Sequence, residues 1–312
     1  MAAAQKVAGF IGLGNMGSLM ARNMVNKGYQ LVVYDVSKSV TDKFVSQGGA
    51  SAASSPSQLA EMCADKRANA ILSMVPEGKH MREVYLGSDG VLKGGPNKDT
   101  LLLDSSTIDI DSAQLVHKEA AKKGFSFLDC PVSGAVPAAK AATLTFMVGG
   151  DKEKYELAKE VLQPMGQKFF HCGPVGAGLT AKICNNMMLA ISMIGTSETL
   201  NLGIRMGLDK NLLTEILSVS SGRSWSVDTY NPVPGVKPNV PASNDYKDGF
   251  GTALITKDLG LAQHEATKSK SATPLGSISH QIYRTMCAQG YGIKDFSVIY
   301  KILSNDKQSL DD

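Results

Sequence analysis

The sequence has little of what marks secreted, metal-binding or nucleic-acid-binding proteins. Its cysteines are odd in number, scattered and without a CxxC pair: Cys63, Cys130, Cys172, Cys184 and Cys287. This spacing predicts reduced thiols and no structural metal site. A single tryptophan, the absence of a basic run and a net charge of only +3 argue against a nucleic-acid partner.

The sequence also lacks an uninterrupted apolar run of the roughly 18 residues that a membrane helix needs. Neither a secretory signal nor an Arg-rich transit segment precedes the first strand pattern, which starts at Lys6. We therefore expect no membrane partner, and either a cytoplasmic protein or the processed form of an imported one.

The hydrophobic pattern predicts two domains in the 312 residues. Up to Gly173, short apolar runs alternate with helical patterns, which predicts an α/β fold with a Rossmann-like, doubly wound and mostly parallel sheet over residues 1–173. The predicted strands are 6–13, 30–35, 69–75, 100–106, 125–132, 143–150 and 168–173. A long helical pattern over 176–207 then joins this domain to a second, all-helical domain, predicted over 174–312.

The strongest motif is "GFIGLGNMG", in which Gly12, Gly14 and Gly17 follow a strand and open a helix. In such a loop the first glycine makes the tight turn, the second admits a pyrophosphate and the third lets the helix pack on the strand. Asp35 ends the next strand, where a carboxylate accepts hydrogen bonds from a ribose and repels a 2′-phosphate. The alternatives are a turn without a ligand and a helix-capping carboxylate. The sequence thus predicts NAD, bound by Gly12, Leu13, Gly14, Asn15, Met16, Gly17 and Asp35.

Two more strand patterns end in segments that should meet the cofactor. Val75 and Pro76 follow one strand, and Ser105, Ser106 and Thr107 follow the next. Ligands of open parallel sheets bind beyond the carboxyl ends of the strands. One of the hydroxyls could instead cap the helix that begins near residue 110.

The stretch "LTAKICNNMMLA" (179–190) has the pattern of a buried helix, yet Lys182, Asn185 and Asn186 interrupt it. A buried ammonium is costly unless it is paired or neutralised. Lys182 and Asn186 lie one turn apart on one helix face, whereas Asn185 points elsewhere and could simply satisfy backbone groups. The alternative for Lys182 is a side chain that reaches solvent at the helix edge.

Five blocks, "GFIGLGNMG", "DCPVSG", "LTFMVGG", "GAGLTAKICNN" and "ITKDLGLA", together resemble the β-hydroxyacid dehydrogenases over residues 6–304. The resemblance implies reversible oxidation of a 3-hydroxy acid by NAD. It makes Lys182 the catalytic general base, because burial and nearby positive charge lower the pKa of a lysine, and Asn186 the neighbour that orients the substrate. It further assigns substrate binding to Ser133, Gly134 and Asp258, and cofactor contacts to Val75, Pro76, His80, Thr107 and Lys257.

The chain departs from the family pattern after "PVSG" and after "MVP". Ala135 and Ala142 stand where glycines are common, and His80 stands where an asparagine is common. Alanine resists positive φ, so we expect these alanines to avoid it, the loop to take a different path and the substrate pocket to change.

The resemblance also implies a specific activity: oxidation of 3-hydroxyisobutyrate to methylmalonate semialdehyde in valine degradation, by a homodimer or homotetramer of the mitochondrial matrix. The open alternatives are a sister enzyme that acts on glycerate and tartronate semialdehyde, one that reduces succinic or glyoxylic semialdehyde, and a catalytically inactive binding module. A module of that kind would not need the lysine, and Lys182 is present.

Overall fold

The computed structural model describes residues 6–304, so the expectation about a leader segment falls on residues outside the described range. The strands are β1 (Lys6–Ile11), β2 (Tyr29–Tyr34), β3 (Ala50–Ala52), β4 (Ala70–Ser73), β5 (Leu101–Asp104), β6 (Ser126–Asp129), β7 (Val132–Ser133), β8 (Leu144–Gly149) and β9 (Gly166–Gly173). Residues 6–173 thus alternate strands with helices, as predicted.

The α-helices of the first part of the chain are α1 (Gly17–Asn26), α2 (Lys38–Val45), α3 (Pro56–Asp65), α4 (Gly78–Leu86), α5 (Ile110–Lys122), α6 (Ala135–Ala141) and α7 (Lys152–Leu162). Those of the second part are α8 (Ala177–Arg205), α9 (Lys210–Val219), α10 (Trp225–Asp228), α11 (Thr252–Ser269), α12 (Pro274–Ala288) and α13 (Ile299–Leu303). Short 3₁₀ helices cover Pro241–Asn244, Tyr291–Ile293 and Phe296–Val298.

One sheet holds the nine strands between residues 6 and 173, and its first six are parallel in the order β3-β2-β1-β4-β5-β6. This is the strand order of dinucleotide-binding domains. Apolar side chains cover both faces, because neighbouring residues of a strand point to opposite sides: Phe10 belongs to one buried cluster and Ile11 to the other. The predicted Rossmann-like, mostly parallel sheet is confirmed.

The predicted strand 125–132 is wrong in one respect, because the structure has two short strands there. Cys130 and Pro131 separate β6 from β7, and β7 pairs antiparallel with β8. Proline has no N–H to give to a strand ladder. A short apolar run does not record which neighbour a strand pairs with, and this is why the sequence pattern missed the break.

The long predicted helix is α8, which spans 29 residues. The chain divides into two compact units between Lys182 and Ile183, inside this helix, and the domain boundary predicted after residue 173 stays a prediction. Among the described residues, α8 is the one helix long and apolar enough to cross a membrane, a test that the core helix of a soluble protein also passes. The expected absence of a membrane partner therefore also stays a prediction.

The second unit consists of helices and loops around its own core, as predicted. Its buried cluster includes Met193, Ile255 and Tyr283. The buried carboxylate of Asp295 accepts hydrogen bonds from the hydroxyl of Tyr230 at 2.9 Å and from two backbone N–H groups. The Pro- and Asn-rich segment 230–246 is therefore anchored to the core at its first residue, Tyr230.

Ala135 and Ala142 both adopt positive φ, at 55° and 57°, so the expectation that these alanines avoid this conformation is wrong. Ala142 ends α6, where Thr143 N donates to Ala138 O at 2.9 Å. This bond belongs to the left-handed helix end at which glycine is favoured. An L-residue with a Cβ pays roughly 1–2 kcal/mol for it.

Replacing Ala142 by glycine should therefore stabilise the protein. We expect A142G to raise the free energy of unfolding by about 1 kcal/mol, because it removes the Cβ from a left-handed position. The neighbouring A141G is the matched control: it places glycine in helical conformation and should lower stability by roughly 0.5–1 kcal/mol. Urea denaturation measures both variants, and a loss of stability in A142G would contradict the explanation.

Candidate active site

The glycine-rich loop after β1 gives each of its three glycines a different reason to be glycine. Gly12 has φ of 91°, and a Cβ there would collide with the backbone oxygen of Met74. A Cβ on Gly17 would collide with the backbone oxygen of Gly12, whereas a Cβ on Gly14 would meet no atom within 4 Å. No described residue requires a glycine at position 14, so the open space beside it fits the close approach of a ligand's pyrophosphate.

Asp35 follows β2 and is hydrogen-bonded to the same loop. Its Oδ2 accepts from Leu13 N at 2.7 Å, and its Oδ1 accepts from Ser37 N at 2.9 Å. Each carboxylate oxygen can accept a second bond, so ribose hydroxyls can still bind. The sequence predicted the ribose contact; it did not reveal that Asp35 also fixes the glycine-rich loop.

The helix that follows the glycine-rich loop presents a bare N-terminus. The N-cap residue of α1, Met16, makes no side-chain cap bond, and the first turn contains no acidic residue. Helix N-termini with these properties attract phosphate through their N–H groups and the helix dipole. The loop and α1 therefore fit the predicted dinucleotide.

A buried polar network connects the ends of β4 and β5. Ser73 Oγ donates to Asp104 Oδ1 at 2.6 Å and lies 2.9 Å from the hydroxyl of Tyr85. Ser106 Oγ donates to the same Asp104 oxygen at 2.8 Å and accepts from Val75 N at 2.8 Å. The loop that carries Val75 is therefore linked, through the Ser106 hydroxyl, to the Asp104 carboxylate at the end of β5.

The alternative in which a hydroxyl after β5 caps the next helix is not what the structure has. Asp109 caps α5 instead, by accepting from Ser112 N at 2.8 Å. Ser106 serves the network just described, and the buried Ser105 hydroxyl has no partner among the described residues. Thr107 is half-buried at the end of this loop, where its cofactor contact stays a prediction.

Two carboxyls lie side by side at the edge of the sheet, since Asp104 and Asp129 pair across β5 and β6. Burial raises the pKa of Asp104 from 3.8 to about 6, against the opposing effect of the Ser73 hydroxyl. Burial also raises the pKa of Asp129, although backbone N–H groups that donate to it act in the opposite direction. Neither carboxyl was among the site residues predicted from the sequence.

The other predicted contacts of the first unit lie on this edge of the sheet or near it. The loops after β1, β2, β4 and β5 are adjacent, because these strands are neighbours in the sheet. Ser133 ends β7, and Gly134 is the N-cap residue of α6, with φ of 131°. Pro76 is exposed in the loop after β4, and His80 is half-buried in α4.

Lys182 is a buried residue of α8, with only 8% of its surface exposed. It lies in the second turn of the helix, after the small residues Ala177 and Gly178. This burial disfavours the alternative of a side chain that extends to solvent from the helix edge. A buried lysine is a group whose protonation its surroundings can tune.

In the second unit, Asn186, Lys257 and Asp258 form one chain of contacts. Asn186 Nδ2 donates to Asp258 Oδ2 at 2.5 Å, and Lys257 Nζ lies 3.2 Å from Asp258 Oδ1, an ion-pair distance without hydrogen-bond geometry. Asn186 and Asp258 are 1% and 2% exposed. Asn185, expected to satisfy backbone groups, instead donates to Asn186 Oδ1 at 3.0 Å and so fixes the orientation of the Asn186 amide.

Two family models match the chain. The NAD binding domain of 6-phosphogluconate dehydrogenase matches residues 7–173. The model described as NAD-binding of NADP-dependent 3-hydroxyisobutyrate dehydrogenase matches residues 176–303.

Relatives match over nearly the whole chain. Mitochondrial 3-hydroxyisobutyrate dehydrogenase of Mus musculus is 52% identical over 98% of this chain and 89% of its own. NAD-dependent L-serine dehydrogenase of Pseudomonas aeruginosa is 46% identical over 95% of this chain and 97% of its own. A solved structure of Mycobacterium tuberculosis 3-hydroxyisobutyrate dehydrogenase with L-serine has a TM-score of 0.87 and 39% identity, covering 96% of this chain and 99% of that one.

Removing the Asp35 carboxylate should weaken the discrimination between the two nicotinamide dinucleotides. We expect D35A to lower the ratio of kcat/KM with NAD to kcat/KM with NADP by about tenfold or more, because the acceptor for ribose hydroxyls and the repulsion of a 2′-phosphate are both lost. D42A, which removes an exposed carboxylate paired with Lys38, is the control and should keep the ratio. Steady-state kinetics with both cofactors measures it, and an unchanged ratio in D35A would exclude the assigned role.

Proposed function

The chain belongs to the β-hydroxyacid dehydrogenase family, and we propose that it oxidises 3-hydroxyisobutyrate to methylmalonate semialdehyde with NAD as the preferred cofactor. The matches confirm the predicted family and an NAD(P)-dependent oxidoreductase that acts on hydroxy acids. The observation that carries the choice of substrate is the 52% identity to the mouse enzyme over 98% of this chain.

The proposed chemistry needs a positioned substrate and one proton acceptor. Bound NAD would supply a hydride acceptor for the carbon that bears the hydroxyl. Lys182 takes the hydroxyl proton as the carbonyl forms, and returns it in the reverse reaction. Its burial in α8 supports this role, because the amine is held away from bulk solvent.

Neutral donors and one positive charge are proposed to hold the acid. Ser133 and the backbone at Gly134 bind its carboxylate, because a hydroxyl and N–H groups hold an anion without trapping it. Asn186 orients the substrate, Lys257 attracts the anionic acid and contacts the cofactor, and Asp258 binds on the substrate side. The contacts of Asp258 with Asn186 and Lys257 support a role in holding both side chains in place.

Removing the amine of Lys182 tests the proposed base. We expect K182A to lower kcat by about 10²–10⁴-fold, the usual contribution of a positioned acid–base group. Cofactor binding, followed by NADH fluorescence, should persist. K118A, in which an exposed lysine of α5 is removed, is the control with wild-type kcat. A kcat for K182A within a few-fold of wild type would contradict the mechanism and would leave a binding module as a candidate.

L-serine is the second candidate substrate, and a relative 46% identical and a neighbouring structure titled with L-serine favour it. Both acids carry a carboxylate and a primary hydroxyl, and they differ by a methyl group against an ammonium on the middle carbon. We expect kcat/KM for 3-hydroxyisobutyrate to exceed that for L-serine and D-glycerate by about tenfold or more, because a site made for a methyl group must desolvate the ammonium. A panel of these acids, and of succinic and glyoxylic semialdehydes in reduction, measures it; faster turnover of L-serine or D-glycerate would favour the sister activity.

We also propose that the chain forms a homodimer or homotetramer. The second unit exposes apolar side chains on α8, on α9 and in the connection between them, including Leu202, Met206, Leu212, Ile216 and Val219. On α9 these residues recur with the spacing of one helix face, and exposed apolar faces of this kind mark association surfaces. Sedimentation velocity tests the proposal, and a monomer at micromolar concentration would contradict it.

A mitochondrial matrix location and a role in valine degradation are proposed from the relatives. Those of mouse, rat, human and Drosophila melanogaster are named mitochondrial 3-hydroxyisobutyrate dehydrogenases. Fractionation of the source cells tests the location, and recovery of the protein in the cytosol alone would contradict it.

A further inference from the structure

Asp129 is a fully buried carboxylate whose two oxygens are both used by the start of α8. Its Oδ1 accepts from Gly176 N at 2.7 Å, and its Oδ2 accepts from Leu179 N at 2.8 Å. The first N–H groups of a helix have no partner inside the helix. A residue at the end of β6 therefore caps a helix whose first bonded N–H group, that of Gly176, lies 47 residues later in the chain.

Two glycines make room for this carboxylate. A Cβ on Gly178 would lie 2.8 Å from Asp129 Oδ2, and a Cβ on Gly149 would collide with Asp129 Oδ1. Contacts this short are essentially absent between real atoms, so any larger residue at either position would displace the carboxylate or the helix start. Gly178 and Gly149 therefore both pack closely against the carboxylate that connects β6 to α8.

We propose that Asp129 is a positioning residue for Lys182. The lysine follows Leu179 by three residues, which is about one helical turn, so the place and rotation of the first turn determine where its side chain starts. The same carboxylate lies just before the segment that contains Ser133 and Gly134. Asp129 thus holds the helix turn that leads to the proposed base, and it directly precedes the segment proposed to bind the carboxylate. This inference rests on the proposed role of Lys182.

A double-mutant cycle separates positioning from a general effect on folding. We expect D129N to lower kcat by roughly tenfold to a hundredfold, the scale expected for a reacting group displaced by about an ångström, because the amide offers one acceptor where the helix presents two donors. The KM for NAD should change by no more than about twofold. In a K182A background, D129N should leave the residual kcat unchanged, because residues that act as a unit are not additive.

The controls make each outcome decisive. D151A removes the carboxylate that caps α7 through Lys154 N and should keep wild-type kcat, since α7 carries no proposed site residue. If D129N does not fold, D129S, which leaves room for water to accept both N–H bonds, replaces it in the same cycle. A wild-type kcat in the Asp129 variant, or an equal loss in both backgrounds, would overturn the inference while the proposed base stands. A wild-type kcat in K182A alone would overturn the proposed base and the inference with it.

Discussion

The last residues of four neighbouring strands pair with one another in a row across the sheet, and the loops of the cofactor-binding unit depend on this row. The row runs from Ile11 through Ser73 and Asp104 to Asp129. Its polar members are fully buried, and buried polar groups must find hydrogen-bond partners. Asp104 accepts from the hydroxyls of Ser73 and Ser106, and the Ser106 hydroxyl in turn accepts from a backbone N–H of the loop after β4. Asp129 accepts from backbone N–H groups at the start of α8. The site loops are therefore fixed by bonds to the sheet and not by their own sequences.

The sequence predicted those features that depend on local spacing. Gly12, Gly14 and Gly17 lie within one turn and a helix start, and Asp35 follows a recognisable strand, so their pattern indicated the strand–loop–helix unit that the structure contains. The long helix was equally visible, because its apolar residues continue for many turns. Lys182 interrupts this apolar pattern, and a buried ammonium is costly; the structure shows that the residue is indeed buried.

Features that depend on contacts distant in sequence were not visible. Asp129 lies 47 residues from the N–H that it accepts, and Asn186 lies 72 residues from Asp258. No spacing rule connects such pairs. The positive φ of Ala142 is a related case: the residue type argued against it, and the bond that closes α6 imposed it. At Ala142 the surrounding structure therefore outweighed the local conformational preference of alanine.

The Asp104 carboxyl also makes the stability of the fold depend on pH. Its pKa rises from 3.8 in its ordinary state to about 6 in the fold, so the folded chain binds the proton more tightly than the unfolded chain does. Its contribution to stability is fully present below about pH 4 and is lost as the pH rises through about 6, a loss of about 3 kcal/mol at neutral pH. At neutral pH the fold therefore keeps an ionised carboxylate in its interior at a thermodynamic cost. Without this carboxylate, the buried hydroxyls of Ser73 and Ser106 would lose their common acceptor, and the loop after β4 would lose its link to the end of β5.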